Sequence, residues 1–322
     1  MKLLKELINE QLNTVRGAVS GDVMFGRYVG YGYHPIELTV EKPFESVKDI
    51  FKDSDLALVN LETALFDEKP TWWKKYPLPN ENYQLQLVSP TENVQHLVDA
   101  GINCVSLANN HSDDAGLEGF ESTQKVLDDA GILHSGTCPK GEPFAPTLFE
   151  INDKKIAFFS VTFKRNFGNE WGNVQDYPIE PLASIDGAVA YEKFLERITQ
   201  CRSEHPDAFI ITSVHWGEQW SEKIGVWQEI VAVNIVDAGA NCLVGHHPHV
   251  LQKVALYKDA IIFFSLGNFL FCHNYDRPGH ASKENENTKN GAIYTFDITK
   301  GNKIINLKRN DTQSTPDGVI LP

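Results

Sequence analysis

One local pattern returns three times along the chain: "DAGINCVSLANNH" from Asp99, "DAGILHSG" from Asp129 and "DAGANCLVGHHPH" from Asp237. Amphipathic stretches such as "TENVQHLVD" and "WQEIVAVNIV" precede the copies. The pattern predicts a helix ended by a left-handed glycine and followed at once by a short buried strand. Repeated helix–glycine–strand units restrict the chain to an α/β architecture, with helices covering the faces of a sheet. The copies are too unevenly spaced for a solenoid.

Other apolar runs read as central strands because they are short and rich in Val, Ile and Phe. They are "LALVNLE" (56–62), "KIAFFSVT" (155–162), "AFIITSVHW" (208–216) and "AIIFFSLGNFLF" (260–271). Lys69–Pro79, Lys164–Pro181 and the polar stretch Asp276–Asn290 read as loops.

Polar, ligand-type residues follow directly on apolar runs in five places. Asp22 follows "GAVSG", Asn60 and Glu62 follow "LALV", and Asn109, Asn110 and His111 follow "CVSLA". His215 follows "IITSV", and His246, His247 and His249 follow "CLVG". In an α/β sheet, loops converge beyond the carboxyl ends of the strands while the sheet fixes them, so functional groups gather there. Carboxylate and amide oxygens with imidazole nitrogens form a mixed donor set that suits Mn²⁺, Fe²⁺ or Zn²⁺. Two such ions bridged by a carboxylate hold a phosphate oxyanion and activate a water, with His111 as the acid for the leaving group. Asp22 and a histidine of "GHHPHV" are the other acid–base candidates. Arg27, Asn60, Trp216 and Glu218 are placed to line a substrate cleft.

Composition excludes several partners. The net charge is −14, and no Lys/Arg-rich cluster occurs, so nucleic acid and anionic membranes are poor partners. A small-molecule or peptide substrate is expected. Five cysteines without a CxxC pair argue against a disulfide framework. The first residues, "MKLLKELINEQLNTVRG", are interrupted by charge and read as an amphipathic helix rather than a signal peptide. No run approaches the ~18 apolar residues of a membrane span. A soluble, cytoplasmic chain is the expectation.

Six stretches, in order, resemble a known family: "GDVMFGR" (21–27), "NLE" (60–62), "ANNHSDDAG" (108–116), "HWGE" (215–218), "GHHPHV" (245–250) and "SLGNFLF" (265–271). They look like the motifs of the bacterial capsule-synthesis CapA (poly-γ-glutamate synthesis) family. The resemblance runs from residue 18 to about 300. It implies the calcineurin-like metallophosphoesterase fold, a four-layer α/β/β/α sandwich. It also implies a metal site at Asp22, Glu62, Asn110, His215, His247 and His249, with His111 as catalytic acid. Three departures from the phosphoesterase pattern stand out. Val23 and Met24 follow Asp22, where those enzymes read Asp-x-His. "NLE" offers Asn60 and Glu62 in place of a bridging Asp, and the final Gly-His-x-His has gained a residue. One ion, two ions or none are open, as is the oligomeric state. The implied organisation is a helix over 1–17, one CapA-like domain over 18–310 and a tail over 311–322.

Three functions remain. The first is a metal-dependent hydrolase of a phosphoester or of a γ-glutamyl or peptide amide. The second is a metal-independent enzyme in which Asp22 and a terminal histidine, such as His249, move a proton at an amino-acid α carbon, as an epimerase does. The third is a non-catalytic subunit of capsule or poly-γ-glutamate synthesis.

Overall fold

The computed structural model describes residues 14–29, 34–37, 40–68, 85–138, 143–164, 182–271, 286–315 and 317–322. Four parallel strands open the first sheet: β1 (Val15–Met24), β2 (Leu56–Leu61), β3 (Cys104–Ser106) and β4 (Leu133–Ser135). Six strands then build a second sheet: β5 (Thr147–Ile151), β6 (Lys154–Thr162), β7 (Phe209–His215), β8 (Cys242–His246), β9 (Val254–Tyr257) and β10 (Ala260–Phe263). Its order is β5-β6-β7-β8-β10-β9, parallel within and antiparallel at both edges. The chain finally returns to the first sheet with β11 (Asn268–Phe271), β12 (Asn290–Ile298), β13 (Ile304–Thr315) and β14 (Gly318–Ile320).

Alternation along the strands makes four layers. Val15, Val19, Leu56 and Leu58 of the first sheet share one apolar cluster with Ile156, Phe158, Phe209, Ile211 and Val244 of the second. The intervening residues, such as Ala57, Val59, Ala157, Phe159 and Leu243, face outward to helices. On the first sheet lie α1 (Lys48–Lys52), α2 (Val94–Ala100) and α3 (Gly116–Asp129). On the second lie α4 (Ala188–Glu204) and α5 (Val226–Asp237). Phe194 of α4, for example, meets Phe159 of β6 edge-on, with 6.1 Å between ring centroids. The expected α/β/β/α sandwich is the observed architecture.

The recurring pattern folds as its spacing predicts. Gly101, Gly131 and Gly239 follow α2, α3 and α5 with φ of 81°, 70° and 127°, and β3, β4 and β8 begin within three residues of them.

Three expectations change. The apolar run 260–271 is two strands in different sheets, because Ser265–Gly267 carry the chain across from β10 to β11. Residues 311–315 and 318–320 are strand rather than tail: Gln313–Thr315 pair with β14, and Ser314 Oγ accepts from the Phe271 amide at 2.9 Å. Residues 15–17 belong to β1 rather than to an N-terminal helix; residues 1–13 lie outside the described set, as do the loop expectations at 69–79, 165–181 and 276–285.

The crossover is tight where it matters. The Asp22 amide donates to Gly267 O at 3.1 Å, and a Cβ on Gly21 would stand 1.9 Å from that same oxygen. Backbone on both sides leaves nothing to yield. Gly21→Ala is therefore expected to destabilise the protein by about 3 kcal/mol or more. A melting temperature within 2 °C or so of wild type would contradict that packing.

Candidate metal and catalytic site

Register brings the strand-end residues together. Asp22 of β1 lies between Asn60 of β2 and Asn268 of β11, and β1 changes register on both flanks beside it. His215 of β7 lies opposite His246 of β8. The Glu62 amide donates to Val23 O at 2.8 Å, holding that carboxylate beside Asp22. The turn after β8 is strained: His247 and His249 have φ of 95° and 57°, a region that L residues avoid. Pro248 separates them.

Glu62 is the centre. Its carboxylate is fully buried, and neither oxygen makes a hydrogen bond among the described residues. Nε2 of His111, of His215 and of His249 each stands 3.9 Å from Glu62 Oε1. That is too long for a hydrogen bond. It is shorter than twice a metal–ligand bond of about 2.1 Å, so such atoms can share an ion. Oxygen or nitrogen donors of Asp22, Glu62 and His215 all lie within 4.8 Å of one another.

Two groups of donors meet at this carboxylate. In the first, His215 Nε2 is 2.6 Å from Asn110 Oδ1 and 3.1 Å from His247 Nδ1. One ring nitrogen holds at most one proton and cannot bond both neighbours well. In the second, His249 Nδ1 is 3.4 Å from Asp22 Oδ2 and 2.9 Å from Asn268 Oδ1. Asn268 Nδ2 donates to Thr288 O at 2.7 Å. Its Oδ1 therefore accepts from His249 Nδ1–H, and Nε2 is turned to Glu62. Asn60 Nδ2 donates to Asp22 Oδ1 at 2.9 Å, and Asn109 Nδ2 donates to Asn60 Oδ1 and Leu61 O.

Charges follow from this packing. Burial and the neighbouring Asp22 push Glu62 up to about 7. Burial would raise Asp22 too, but His246 and His249 hold it well below the usual carboxylate range. Burial would lower His249, yet Glu62 and Asp22 raise it to about 9. Burial and the facing imidazoles push His247 down to about 3 and lower His215 as well. His215 and His247 are thus neutral and ready to ligate, whereas Glu62 and His249 must first lose protons. His111 is raised: burial opposes its charge, and Asp114 outweighs burial through a 2.7 Å contact with Nδ1. The donors are buried oxygens and nitrogens, and neither Glu62 oxygen has a hydrogen-bond partner among the described residues, so a divalent ion fits this site.

The family model described as "Bacterial capsule synthesis protein PGA_cap" matches residues 17–273. The chain belongs to this family. The capsule biosynthesis protein CapA of Bacillus anthracis is 29% identical to it over 294 residues, 85% of this chain and 63% of the relative. The PGA biosynthesis protein CapA of Bacillus subtilis (strain 168) is 28% identical over 288 residues, 87% and 69% of the two chains. A probable polyglutamine synthesis accessory protein of Mycobacterium tuberculosis is 24% identical over 230 residues, 67% and 55%. The chain thus spans under two thirds of the Bacillus anthracis relative.

In this PGA_cap protein the structure brings together Asp22, Glu62, Asn110, His111, His215, His247 and His249. It moves two cleft residues elsewhere. Trp216 is fully buried, stacks on Phe264 and donates to its carbonyl at 3.0 Å. Following His215 on a strand end, it points away from the site and meets Trp227 of α5. Asn60 is turned to Asp22 and orients it. Glu218 is exposed and faces Lys164 Nζ at 3.5 Å. Arg27 sits on the strand Gly26–Val29, and its side chain lies outside the described set. Asn268 went unnoticed in the sequence, although a lone amide after Gly267 within "NFLF" is a signal. Among the described residues, no helix is long and apolar enough to cross a membrane.

Proposed function

We propose that this PGA_cap protein is a metal-dependent hydrolase using one or two Mn²⁺, Fe²⁺ or Zn²⁺ ions. Its substrate is a phosphoester or a γ-glutamyl or peptide amide, with a place in capsule or poly-γ-glutamate metabolism as its relatives' names indicate. The observation that carries this reading is Glu62: a buried carboxylate with two unbonded oxygens and imidazole nitrogens converging on it. Asn110, His215 and His247 would hold an ion on one side of Glu62, and Asp22 and His249 on the other. When bound, a divalent cation supplies Lewis acidity to the scissile group and to a water.

The chain's own groups do the rest. Asn60 fixes Asp22, and Asn268 fixes the tautomer of His249. Asp114 holds His111 by Nδ1, which leaves the proton on Nε2 for the leaving group. Arg27 and Glu218 are the proposed contacts for a polar substrate. Proton exchange between Asp22 and His249 without a metal is the poorer fit. It gives no role to the two unbonded, buried oxygens of Glu62.

The test is elemental analysis of protein purified without chelator, followed by assays on aryl phosphoesters and γ-glutamyl anilides. Stoichiometric metal is expected, with turnover lost in excess chelator and restored by Mn²⁺. Undiminished turnover in excess chelator would refute a metal-dependent hydrolase. A metal-replete protein inactive on both substrate classes would favour the accessory-subunit reading.

A further inference from the structure

Lys164 leaves the second sheet beside His215. β6 pairs with β7 so that Thr162 lies opposite His215, and the Phe163 amide donates to His215 O at 2.9 Å. Lys164 is the next residue. One hydroxyl holds its backbone on both sides: Thr162 Oγ1 donates to Lys164 O at 2.7 Å and accepts from the Lys164 amide at 3.0 Å. The chain therefore leaves β6 in a fixed direction, next to a proposed metal ligand.

Its side chain reaches toward the histidine turn. Lys164 Nζ lies 3.5 Å from Glu218 Oε1. Glu218 belongs to a segment tied to that turn at both ends: the Trp216 amide donates to His246 O at 3.0 Å, and the Trp220 amide to Pro248 O at 2.7 Å. After burial and His249, the Lys164 charge is the next influence pushing His247 down, so ammonium and imidazole lie within electrostatic reach. Among the described residues, no other lysine or arginine is a leading influence on the groups of the site. The chain carries a net charge of −14, and Asp22 and Glu62 lie in the site, so an anion entering it needs a local positive charge. Glu218 is exposed, and an ion pair so open to water is weak enough for an incoming anion to displace.

We propose that Lys164 receives an anionic group of the substrate, a phosphate or a carboxylate, beside the metal-binding histidines. This rests on the hydrolase reading above and narrows its substrate to anions. A phosphoester would offer its non-bridging oxygens there and a γ-glutamyl amide its α-carboxylate; either accepts a charge-assisted hydrogen bond from Nζ. Glu218 positions the ammonium and yields it when the anion binds, which frees its carboxylate for polar groups of the substrate.

The experiment loads wild type, Lys164→Met and Lys164→Arg with Mn²⁺ and counts bound ions by elemental analysis. Inorganic phosphate and L-glutamate are then titrated by calorimetry. The bonds that anchor residue 164 are made by its backbone, so both variants are expected to fold, which melting curves check; Lys164→Gln carries the comparison if the methionine does not. Lys164→Met should keep the wild-type Mn²⁺ count and bind one of the two anions at least about 10-fold more weakly. Lys164→Arg, which keeps the charge, should bind it nearly as wild type does. A loss confined to phosphate assigns a phosphoester substrate, and a loss confined to L-glutamate a γ-glutamyl one. Unchanged affinity for both, or a wild type that binds neither, would overturn the role of Lys164 while leaving the hydrolase reading intact. So would loss of Mn²⁺ from Lys164→Met, which would make the lysine a support of the metal ligands. Wild type that binds no Mn²⁺ would remove both.

Discussion

Glu62→Gln should make the metal-free protein more stable while abolishing its response to metal. The wild-type carboxyl is fully buried and pushed up to about 7 from an ordinary 4.5. A carboxyl whose folded value is raised favours the protonated form. Its contribution to stability is complete below about pH 4.5 and is lost as pH rises through about 7. Glutamine never ionises and loses nothing. The gap is worth about 3 kcal/mol, so the variant should gain up to that amount at pH 8 and nothing at pH 4.5. Turnover should fall by about 10³-fold or more, since the group common to both donor sets is gone. The same proton opposes metal binding, as does the one on His249, held up to about 9. Mn²⁺ affinity of wild type should accordingly rise between pH 5 and 9. Denaturation at the two pH values, with and without Mn²⁺, checks all of this. A variant less stable than wild type at pH 8 would mean that Glu62 has partners that reward its charge.

His111→Asn is expected to leave metal binding intact and to slow turnover by about 10²–10⁴-fold. Among the described residues, His111 is the one imidazole of the group gripped by a carboxylate outside it, Asp114. Its raised value favours the charged form, which suits a proton donor. The defect should be smallest for p-nitrophenyl esters, whose leaving group needs no proton, and largest for alkyl esters or amides. Removing the Asp114 charge, as in Asp114→Asn, should lower the His111 value and move the alkaline limb of the pH–rate profile to lower pH. An equal loss on activated and unactivated substrates would assign His111 a structural role instead.

Much of this was legible in the chain because strands and their polar ends sit side by side in the sequence. "CVSLANNH" and "IITSVHW" each state an apolar strand and then its functional terminus. What escaped notice depends on direction and partnership, which composition does not encode. Trp216 and His215 are neighbours, yet alternation sends one to the helices and the other to Glu62. "AIIFFSLGNFLF" is continuous in hydrophobicity but divides at Gly267, whose φ of 68° lets the chain leave one sheet for the other. The polar end of β13, Asp311–Thr315, reads as a tail because its pairing with β12 and β14 is made by backbone.

The division of donors between sheets has a mechanical meaning. Asp22, Glu62 and Asn110 follow strands of the first sheet, while His215, His247 and His249 follow strands of the second. An ion gripped by both sets would act as a rivet through the sandwich. Neither half could open without first releasing it, so at 100 times its dissociation constant the ion would add about 2.7 kcal/mol to the whole fold. Slowly exchanging amides at the inner ends of both sheets should then exchange in concert, and chelation should loosen the two halves together.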